Sequence, residues 1–138
     1  MTERLDAYRD RLRGFLPDLL GVRLLEVSPE RVTAELEVRR ELCTVPGILH
    51  GGAIMAFADT LGAVATVATI PPGAGTTTIE SKSNFFAPGR EGTVVRGETT
   101  PLHKGRRTMT WQTRVTDPDG RLLAVVTQTQ LISPPEGP

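Results

Sequence analysis

One stretch of the chain is almost free of charge. Residues 42–79 carry a single formal charge, that of Asp59, although the 138-residue chain has 16 basic and 16 acidic side chains. The part from His50 to Ile70 is rich in alanine and other small residues, and Pro71 and Pro72 follow it. This composition predicts a helix of about 27 Å that ends at the prolines. A helix that is apolar on all sides belongs in the middle of a protein.

The segments on either side of this helix are predicted to form mostly strands. Near the start, Leu5, Tyr8, Leu12 and Phe15 have helical spacing, which predicts a short amphipathic helix ending before Pro17. Alternating polarity and turn residues predict six strands, at 20–27, 31–39, 76–86, 93–102, 106–116 and 121–132. One long central helix and a roughly six-stranded, mostly antiparallel sheet wrapped around it give an α+β fold. We expect one domain over residues 1–133 and a flexible tail at 134–138.

Composition excludes several classes of function. A formal net charge of zero argues against a general nucleic-acid binder, for which the domain should be strongly basic. A membrane span at 53–70 would place Asp59 near its centre, at a cost of about 3 kcal/mol. One cysteine, Cys43, forms no internal disulfide, and the charged N-terminus shows no signal peptide. We therefore expect a cytoplasmic protein without nucleic-acid or membrane partners. With two histidines and one cysteine, we expect no metal site.

Asp59 is the first candidate for chemistry. An ionised carboxylate in an apolar helix is costly unless it is paired, and no Lys or Arg lies within one helical turn of it. Asp59 is either a structural residue that reaches solvent or accepts backbone hydrogen bonds, or a nucleophile or general base.

The start of the predicted helix is the second candidate. Two glycines, Gly51 and Gly52, leave N–H groups that can stabilise a developing oxyanion, and the adjacent His50 either caps the helix or takes part in this site. Gly51 and Asp59 are eight residues apart, about 12 Å along one helix. A reacting carbonyl must lie about 3 Å from both groups, so one helix cannot supply both. If both are used, the chain is a dimer with active sites shared between subunits.

Two further clusters have both a structural and a functional interpretation. Thr76–Thr78 and Asn84 lie on the strand after the helix, where the hydroxyls either favour an edge strand or orient a carboxylate or a water. Lys104, Arg106 and Arg107 lie in a basic bend that is either a solvated turn or a phosphate-binding patch.

Several motifs together resemble one family. Pro46-Gly47-Ile48-Leu49-His50-Gly51-Gly52, followed eight residues after Gly51 by Asp59, is similar to the G-x-x-H-G-G…D signature of hotdog-fold acyl-CoA thioesterases. Residues 83–89, Ser-Asn-Phe-Phe-Ala-Pro-Gly, resemble the family's N-F-x-x-P segment, and His103–Arg107 with Trp111 and Asp119-Gly120 resemble its C-terminal hairpin. The resemblance covers about residues 20–132 and points to the phenylacetate-degradation subfamily of the 4-hydroxybenzoyl-CoA thioesterase superfamily.

This resemblance implies a hotdog fold that forms homodimers and usually homotetramers. It also implies hydrolysis of an acyl-CoA to a carboxylic acid and free CoA, without a further cofactor. Asp59 would be nucleophile or general base, the partner subunit's Gly51 would polarise the thioester carbonyl, and His50 would shape that site. Thr78 would position water. Thr44 stands where the family often has Asn, seven residues before Gly51.

The same resemblance implies a set of substrate-binding positions, with the two arginines near the CoA phosphates: Gly52, Asn84, Phe85, Lys104, Arg106 and Arg107. Two alternatives remain open from the sequence. One is a non-catalytic acyl-CoA-binding module on the same fold. The other is a hotdog hydratase or dehydratase in which His50 and Asp59 cooperate on a hydroxyacyl substrate.

Overall fold

A six-stranded antiparallel sheet packs around one long helix in the computed structural model, which describes residues 2–136 and the side chains of residues 4–136. The helices are α1 (Thr2–Leu12), α2 (Leu16–Leu20) and α3 (Gly51–Val67). The sheet strands are β1 (Arg23–Val27), β2 (Val32–Glu37), β5 (Gly75–Phe85), β6 (Val94–Lys104), β7 (Thr108–Thr116) and β8 (Leu122–Ser133). A short hairpin of β3 (Cys43–Thr44) and β4 (Ile48–Leu49) precedes α3.

The strands lie in the order β1-β2-β6-β7-β8-β5, and every neighbouring pair is antiparallel. The predicted α+β hotdog architecture is confirmed. The central helix α3 contacts β2, β5, β6, β7 and β8, so it lies where its apolar composition requires. The long strand β5 is the next element after α3; it forms one edge of the sheet and contacts that helix.

The core lies between α3 and the sheet. Phe57 and Leu61 are fully buried on the sheet-facing side of α3, and Trp111 is fully buried on β7. Gly97 on β6 lets the helix approach closely, because a Cβ there would lie 2.7 Å from Leu61 Cδ1 and 2.9 Å from the Phe57 ring. A side chain at this position would push the helix off the sheet.

Four predicted boundaries are wrong in detail. The strand predicted at 20–27 begins at Arg23, since Leu16–Leu20 forms α2, which ends at Gly21 in a left-handed conformation. Pro17 does not prevent this helix, because proline is tolerated in the first turn. The central helix ends at Val67, three residues before Ile70.

The third and fourth differences lie on either side of the basic bend. β6 continues through His103 and Lys104, so the turn consists of residues 105–107, and the following strand begins at Thr108. At the C-terminus, residues 134–136 lie beyond β8, and the last two residues of the predicted tail, 137 and 138, lie outside the described part of the chain.

Replacing Trp111 by Phe tests one buried polar contact of this core. The Trp111 Nε1–H donates to Thr66 Oγ1 at 2.8 Å, and the Thr66 hydroxyl donates to the Gly62 carbonyl at 2.8 Å. Trp111→Phe removes the donor and leaves unfilled volume, so we expect a loss of about 2 kcal/mol in the free energy of unfolding, measured by urea titration. Thr66→Val should cost less in the Trp111→Phe background than in the wild type. Equal costs in both backgrounds would show that the two side chains are not coupled.

Candidate active site

Asp59 lies halfway along α3 and is half-buried. Its Oδ1 accepts a hydrogen bond of 2.6 Å from the Thr78 hydroxyl on β5. No group in residues 4–136 donates to its second oxygen, Oδ2. The structure therefore brings together two residues named from the sequence, with one carboxylate oxygen anchored and the other open. Thr78 thus fixes the orientation of the Asp59 carboxylate.

Thr78 belongs to a chain of buried polar groups. Its Oγ1 accepts a hydrogen bond of 2.6 Å from Nε2 of Gln130, which lies directly opposite it in the β5–β8 pairing. Nε2 of Gln130 also donates to Oε1 of Gln128, and Nε2 of Gln128 donates to the Ala58 carbonyl at 2.8 Å. Both glutamine side chains are fully buried. The chain of contacts thus starts at Ala58 and ends at the next residue of α3, Asp59.

Sequence reasoning missed both glutamines. Their signal is their position, since Gln128 and Gln130 continue the inward-facing row that begins with Ala124 and Val126 on β8. Two long amide side chains on an otherwise apolar, buried face are expected only where other polar groups form hydrogen bonds with them.

Gly62 makes room for Gln128. A Cβ at Gly62 would lie 2.2 Å from Nε2 and 2.3 Å from Cδ of the Gln128 carboxamide. Glycine normally destabilises a helix interior by about 1 kcal/mol relative to alanine, so its presence here has a packing reason. That reason is the close approach of the Gln128 amide to the helix backbone.

Gly62→Ala is therefore expected to destabilise the protein despite the higher helix propensity of alanine. Overpacking costs about 1–3 kcal/mol and the displaced Gln128 amide loses a buried hydrogen bond, which together outweigh the gain of about 1 kcal/mol. We expect the free energy of unfolding to fall by about 2 kcal/mol in urea titration. The control is Gly62→Ala in a Gln128→Ala background, where the side chain that the new Cβ would meet is absent and the added methyl should cost less. An increase in stability on Gly62→Ala would contradict the packing argument.

His50 caps the N-terminus of α3. It has extended backbone angles, and its Nδ1 accepts from the Gly52 N–H at 2.7 Å. The Gly52 N–H is consequently occupied within the chain. The Gly51 N–H has no acceptor among residues 2–136, so it is the donor that remains available at this helix start.

Phe85 covers Gly51. A Cβ at Gly51 would lie 3.2 Å from Phe85 Cζ, so the missing side chain lets the ring lie against the helix start. Asn84, the residue before Phe85 on β5, is exposed. Thr44 is exposed in the β3–β4 hairpin that leads into α3, where its carbonyl accepts from the Gly47 N–H at 2.8 Å.

A cavity of about 340 Å³ opens beside Asp59 between α1 and α3. The helix α3 contributes Asp59 and apolar or small residues, and α1 contributes Tyr8, Arg11 and Leu12. The cavity combines one carboxylate with mostly apolar walls, as binding pockets for small molecules do. Sequence reasoning assigned the N-terminal helix no part in the site.

The basic residues separate into two environments. Lys104 already has two partners within the fold. Its Nζ lies 5.8 Å from the centre of the Trp111 ring and 3.7 Å from Glu30 Oε1. Arg106 and Arg107 are exposed, and neither has an ion-pair partner in residues 4–136. They line a groove of about 500 Å³ together with Ile132, Pro134 and Pro135.

Cys43 has the properties of a structural thiol. It is half-buried, and its Sγ–H donates to the Arg39 carbonyl at 3.4 Å. Desolvation raises the pKa of the Cys43 thiol, and the nearby Glu91 carboxylate raises it further. A raised pKa lowers the thiolate fraction, which is the nucleophilic form.

Metal-binding clusters and membrane-spanning helices are two further features that bear on function. Among the described residues, no group of three His, Cys, Asp or Glu side chains lies close enough to hold a metal ion. No helix within residues 2–136 has the length and apolar character needed to cross a membrane.

Comparison with known proteins identifies the family of the chain. The family model described as the thioesterase superfamily matches residues 46–124, which is more than half of the chain. The 1,4-dihydroxy-2-naphthoyl-CoA hydrolase of Escherichia coli is 30% identical over 118 residues, covering 86% of this chain and 86% of that protein.

Solved structures share the same fold. A mutant of the thioesterase PA1618 from Pseudomonas aeruginosa superimposes with a TM-score of 0.89 at 26% identity, covering 94% of each chain. The protein smu.793 from Streptococcus mutans, solved bound to acetyl CoA, gives a TM-score of 0.77 at 22% identity, covering 84% of this chain and 91% of that one. The chain described here therefore belongs to the thioesterase superfamily and is a hydrolase that acts on thioester bonds.

Proposed function

We propose that this hydrolase cleaves an acyl-CoA thioester to a carboxylic acid and free CoA, with Asp59 as the reacting carboxylate. The observation that carries the proposal is the environment of Asp59. It is the one formal charge of residues 42–79, it is anchored through Oδ1 by Thr78 at 2.6 Å, and it lines the cavity between α1 and α3.

The geometry supports either of two routes. As general base, Oδ2 of Asp59 takes a proton from a water whose oxygen attacks the thioester carbonyl carbon. The C–S bond of the tetrahedral intermediate then breaks, and the proton passes to the departing CoA thiolate. As nucleophile, Oδ2 itself attacks the carbonyl carbon, and the C–S bond breaks to release the CoA thiolate and leave a mixed anhydride. Water then hydrolyses that anhydride to the carboxylic acid and the regenerated Asp59 carboxylate, and the thiolate takes up the proton that this step releases. In both routes the carbonyl oxygen becomes negative and requires an N–H donor near it.

We propose that this donor is the Gly51 N–H of the partner subunit in a homodimer. Within one chain Gly51 and Asp59 are separated by about 12 Å, which is too far for one carbonyl. The edge strand β5 supports a dimer, because apolar side chains that a monomer would expose to water lie on it and beside it on α3. They are Met55, Ile79, Phe85 and Phe86. Further pairing of such dimers would give the homotetramer.

We place the nucleotide end of CoA at Arg106 and Arg107. Their free guanidinium groups suit phosphate oxygens, and the adjoining groove has apolar walls that suit an adenine ring. The acetyl CoA bound to the S. mutans protein supports this substrate class. Lys104 is a weaker candidate for phosphate binding, since its ammonium group already contacts Glu30 and Trp111.

We place the acyl group in the cavity between α1 and α3. Asn84 and Phe85 then lie at the other end of the site, near the Gly51 that the dimer presents to the partner. Thr44 and Gly52 flank the same helix start, although the Gly52 N–H is occupied by His50. The motifs at 46–59 and 83–89 favour the phenylacetate-degradation subfamily, so aryl acyl groups are the first substrates to try.

The experiment is a panel of acyl-CoA thioesters, straight-chain and aryl, assayed by colorimetric detection of the free thiol. The panel is run on wild type and Asp59→Asn in parallel, with the matching acyl-pantetheines as substrates that lack the nucleotide. The proposal predicts thiol release that Asp59→Asn abolishes and that falls for the pantetheines. Tight binding without thiol release would favour the binding module. A 2-enoyl-CoA is included in the panel, and its conversion to a hydroxyacyl-CoA without thiol release would favour the hydratase.

A further inference from the structure

We propose that Gln130 is a positioning residue of the Asp59 site and that it acts by fixing the direction in which the Thr78 hydroxyl donates its proton. The inference rests on the proposed function in one respect, namely that Asp59 is the reacting carboxylate. It follows from the hydrogen-bonding capacity of the three side chains, Gln128, Gln130 and Thr78, that connect the Ala58 carbonyl to the Asp59 carboxylate.

The direction is set at the helix backbone. The Ala58 carbonyl oxygen only accepts hydrogen bonds, and a terminal atom of the Gln128 amide lies 2.8 Å from it. That atom must be the nitrogen, because two acceptors at this distance repel. The other terminal atom of Gln128, which faces Gln130, must therefore be the oxygen.

Gln130 is oriented in turn. Its terminal atom next to the Gln128 oxygen must be the amide nitrogen, and the same nitrogen lies 2.6 Å from Thr78 Oγ1. Its oxygen faces the Thr76 hydroxyl, which donates to it at 2.8 Å. Both glutamine side chains are fully buried, so water cannot offer either amide an alternative partner.

Thr78 is left with one direction for its proton. A threonine hydroxyl has a single proton, and the side of Oγ1 that faces Gln130 receives a proton rather than donating one. The Thr78 proton consequently points at Asp59 Oδ1, 2.6 Å away. A hydrogen bond donated to Oδ1 holds the carboxylate in one orientation and leaves Oδ2 as the oxygen that faces substrate.

The kinetic test combines two variants of Gln130 with Thr78→Val. Gln130→Met removes the donor, and Gln130→Glu supplies a carboxylate that accepts the Thr78 proton and turns it away from Asp59. Each should lower kcat on the order of tenfold and leave KM unchanged. In the Thr78→Val background, Gln130→Met should cause no further loss of kcat, because the residue acts only through that hydroxyl.

Thr113→Val is the matched control. It removes the buried Thr99–Thr113 hydrogen bond, also 2.6 Å long, between β6 and β7. Loss of this bond should lower the midpoint of thermal unfolding and leave kcat at the wild-type value. A loss of kcat on Gln130→Met that is equal in the wild-type and Thr78→Val backgrounds would overturn the inference, as would a rise in KM alone.

A second measurement needs neither enzymatic turnover nor a substitution of Gln130. In ¹⁵N–¹H correlation spectra, the side-chain NH₂ signals of Gln128 and Gln130 should exchange slowly with solvent. Both should shift in Asp59→Asn, whereas that of Gln112 should not. Unshifted signals would overturn the connection to Asp59. Shifted signals together with undiminished thiol release in Asp59→Asn would instead reject the proposed function. The hydrogen-bonded connection between Gln130 and Asp59 would still be supported.

Discussion

Replacing Asp59 by Asn should lower kcat for acyl-CoA hydrolysis by about 10³-fold, the range in which a general base or nucleophile contributes, while KM should stay near the wild-type value. The amide has almost the shape of the carboxylate, and its oxygen still accepts the hydrogen bond from Thr78. It neither takes up a proton at neutral pH nor attacks a carbonyl. The change thus removes the chemistry and preserves the packing.

The measurements are steady-state thiol release and the midpoint of thermal unfolding on the same preparations. Asp119→Asn provides the control, since Asp119 lies exposed in the turn between β7 and β8, far along the chain from α3. It should leave both kinetic constants unchanged. A kcat for Asp59→Asn within a few-fold of wild type would mean that another group performs the hydrolysis.

Replacing Gly51 by Pro should lower kcat by about 10²-fold, because it deletes the N–H proposed to stabilise the oxyanion. Proline suits this position otherwise. Gly51 is the first residue of α3, where proline is favoured, and His50 before it has φ −62° and ψ 137°, which are compatible with a following proline. The backbone therefore tolerates a substitution that removes only one donor.

Gly51→Ala distinguishes the effect of losing the N–H from the effect of adding carbon atoms at this position. Alanine also brings a Cβ to 3.2 Å from the Phe85 ring, but it keeps the N–H. Phe85 is 51% exposed, so its ring has room to shift. We expect Gly51→Ala to retain most of the activity that Gly51→Pro loses, in the same thiol-release assay. Equal losses in the two variants would indicate that crowding at Phe85, rather than the missing N–H, is responsible.

A mixture of the two inactive proteins tests whether the site is shared. If subunits of Asp59→Asn and Gly51→Pro exchange at random, each mixed dimer contains one site with both groups intact, and about a quarter of wild-type activity should return. If both groups acted within one chain, mixing would restore nothing. Size-exclusion chromatography before and after mixing confirms that dimers are present and exchanging.

The sequence was sufficient for the features that depend on local composition. The absence of charge around Asp59 and the prolines after Ile70 defined the central helix, and polar alternation defined the strands. Asp59 and Gly51 stood out because a carboxylate in an apolar helix and glycines at a helix start are unusual by themselves. The boundary errors came from residues with two roles, such as Pro17, which starts a short helix as readily as it ends one.

The chain of hydrogen bonds through Gln128, Gln130 and Thr78 could not be predicted, because it depends on strand register. Thr78 faces Gln130 only because β5 carries an irregularity between Thr78 and Glu80, where Ile79 is displaced outward and is 55% exposed. A shift of one residue would turn the Thr78 side chain to the opposite face of the sheet. The sequence offered capping as one of two interpretations of His50 and could not choose between them, since the choice depends on one side-chain rotamer at the helix start.

The wall that α1 contributes to the cavity has an evolutionary consequence. Tyr8 and Leu12 line the space beside Asp59, yet they lie outside residues 46–124, the part that matches the superfamily. The proposed reacting acid and the proposed oxyanion donor are thus encoded in one stretch of the gene, and part of the proposed acyl pocket is encoded in another. Under this proposal, mutation of the first helix redirects substrate choice while the hydrolytic apparatus stays intact.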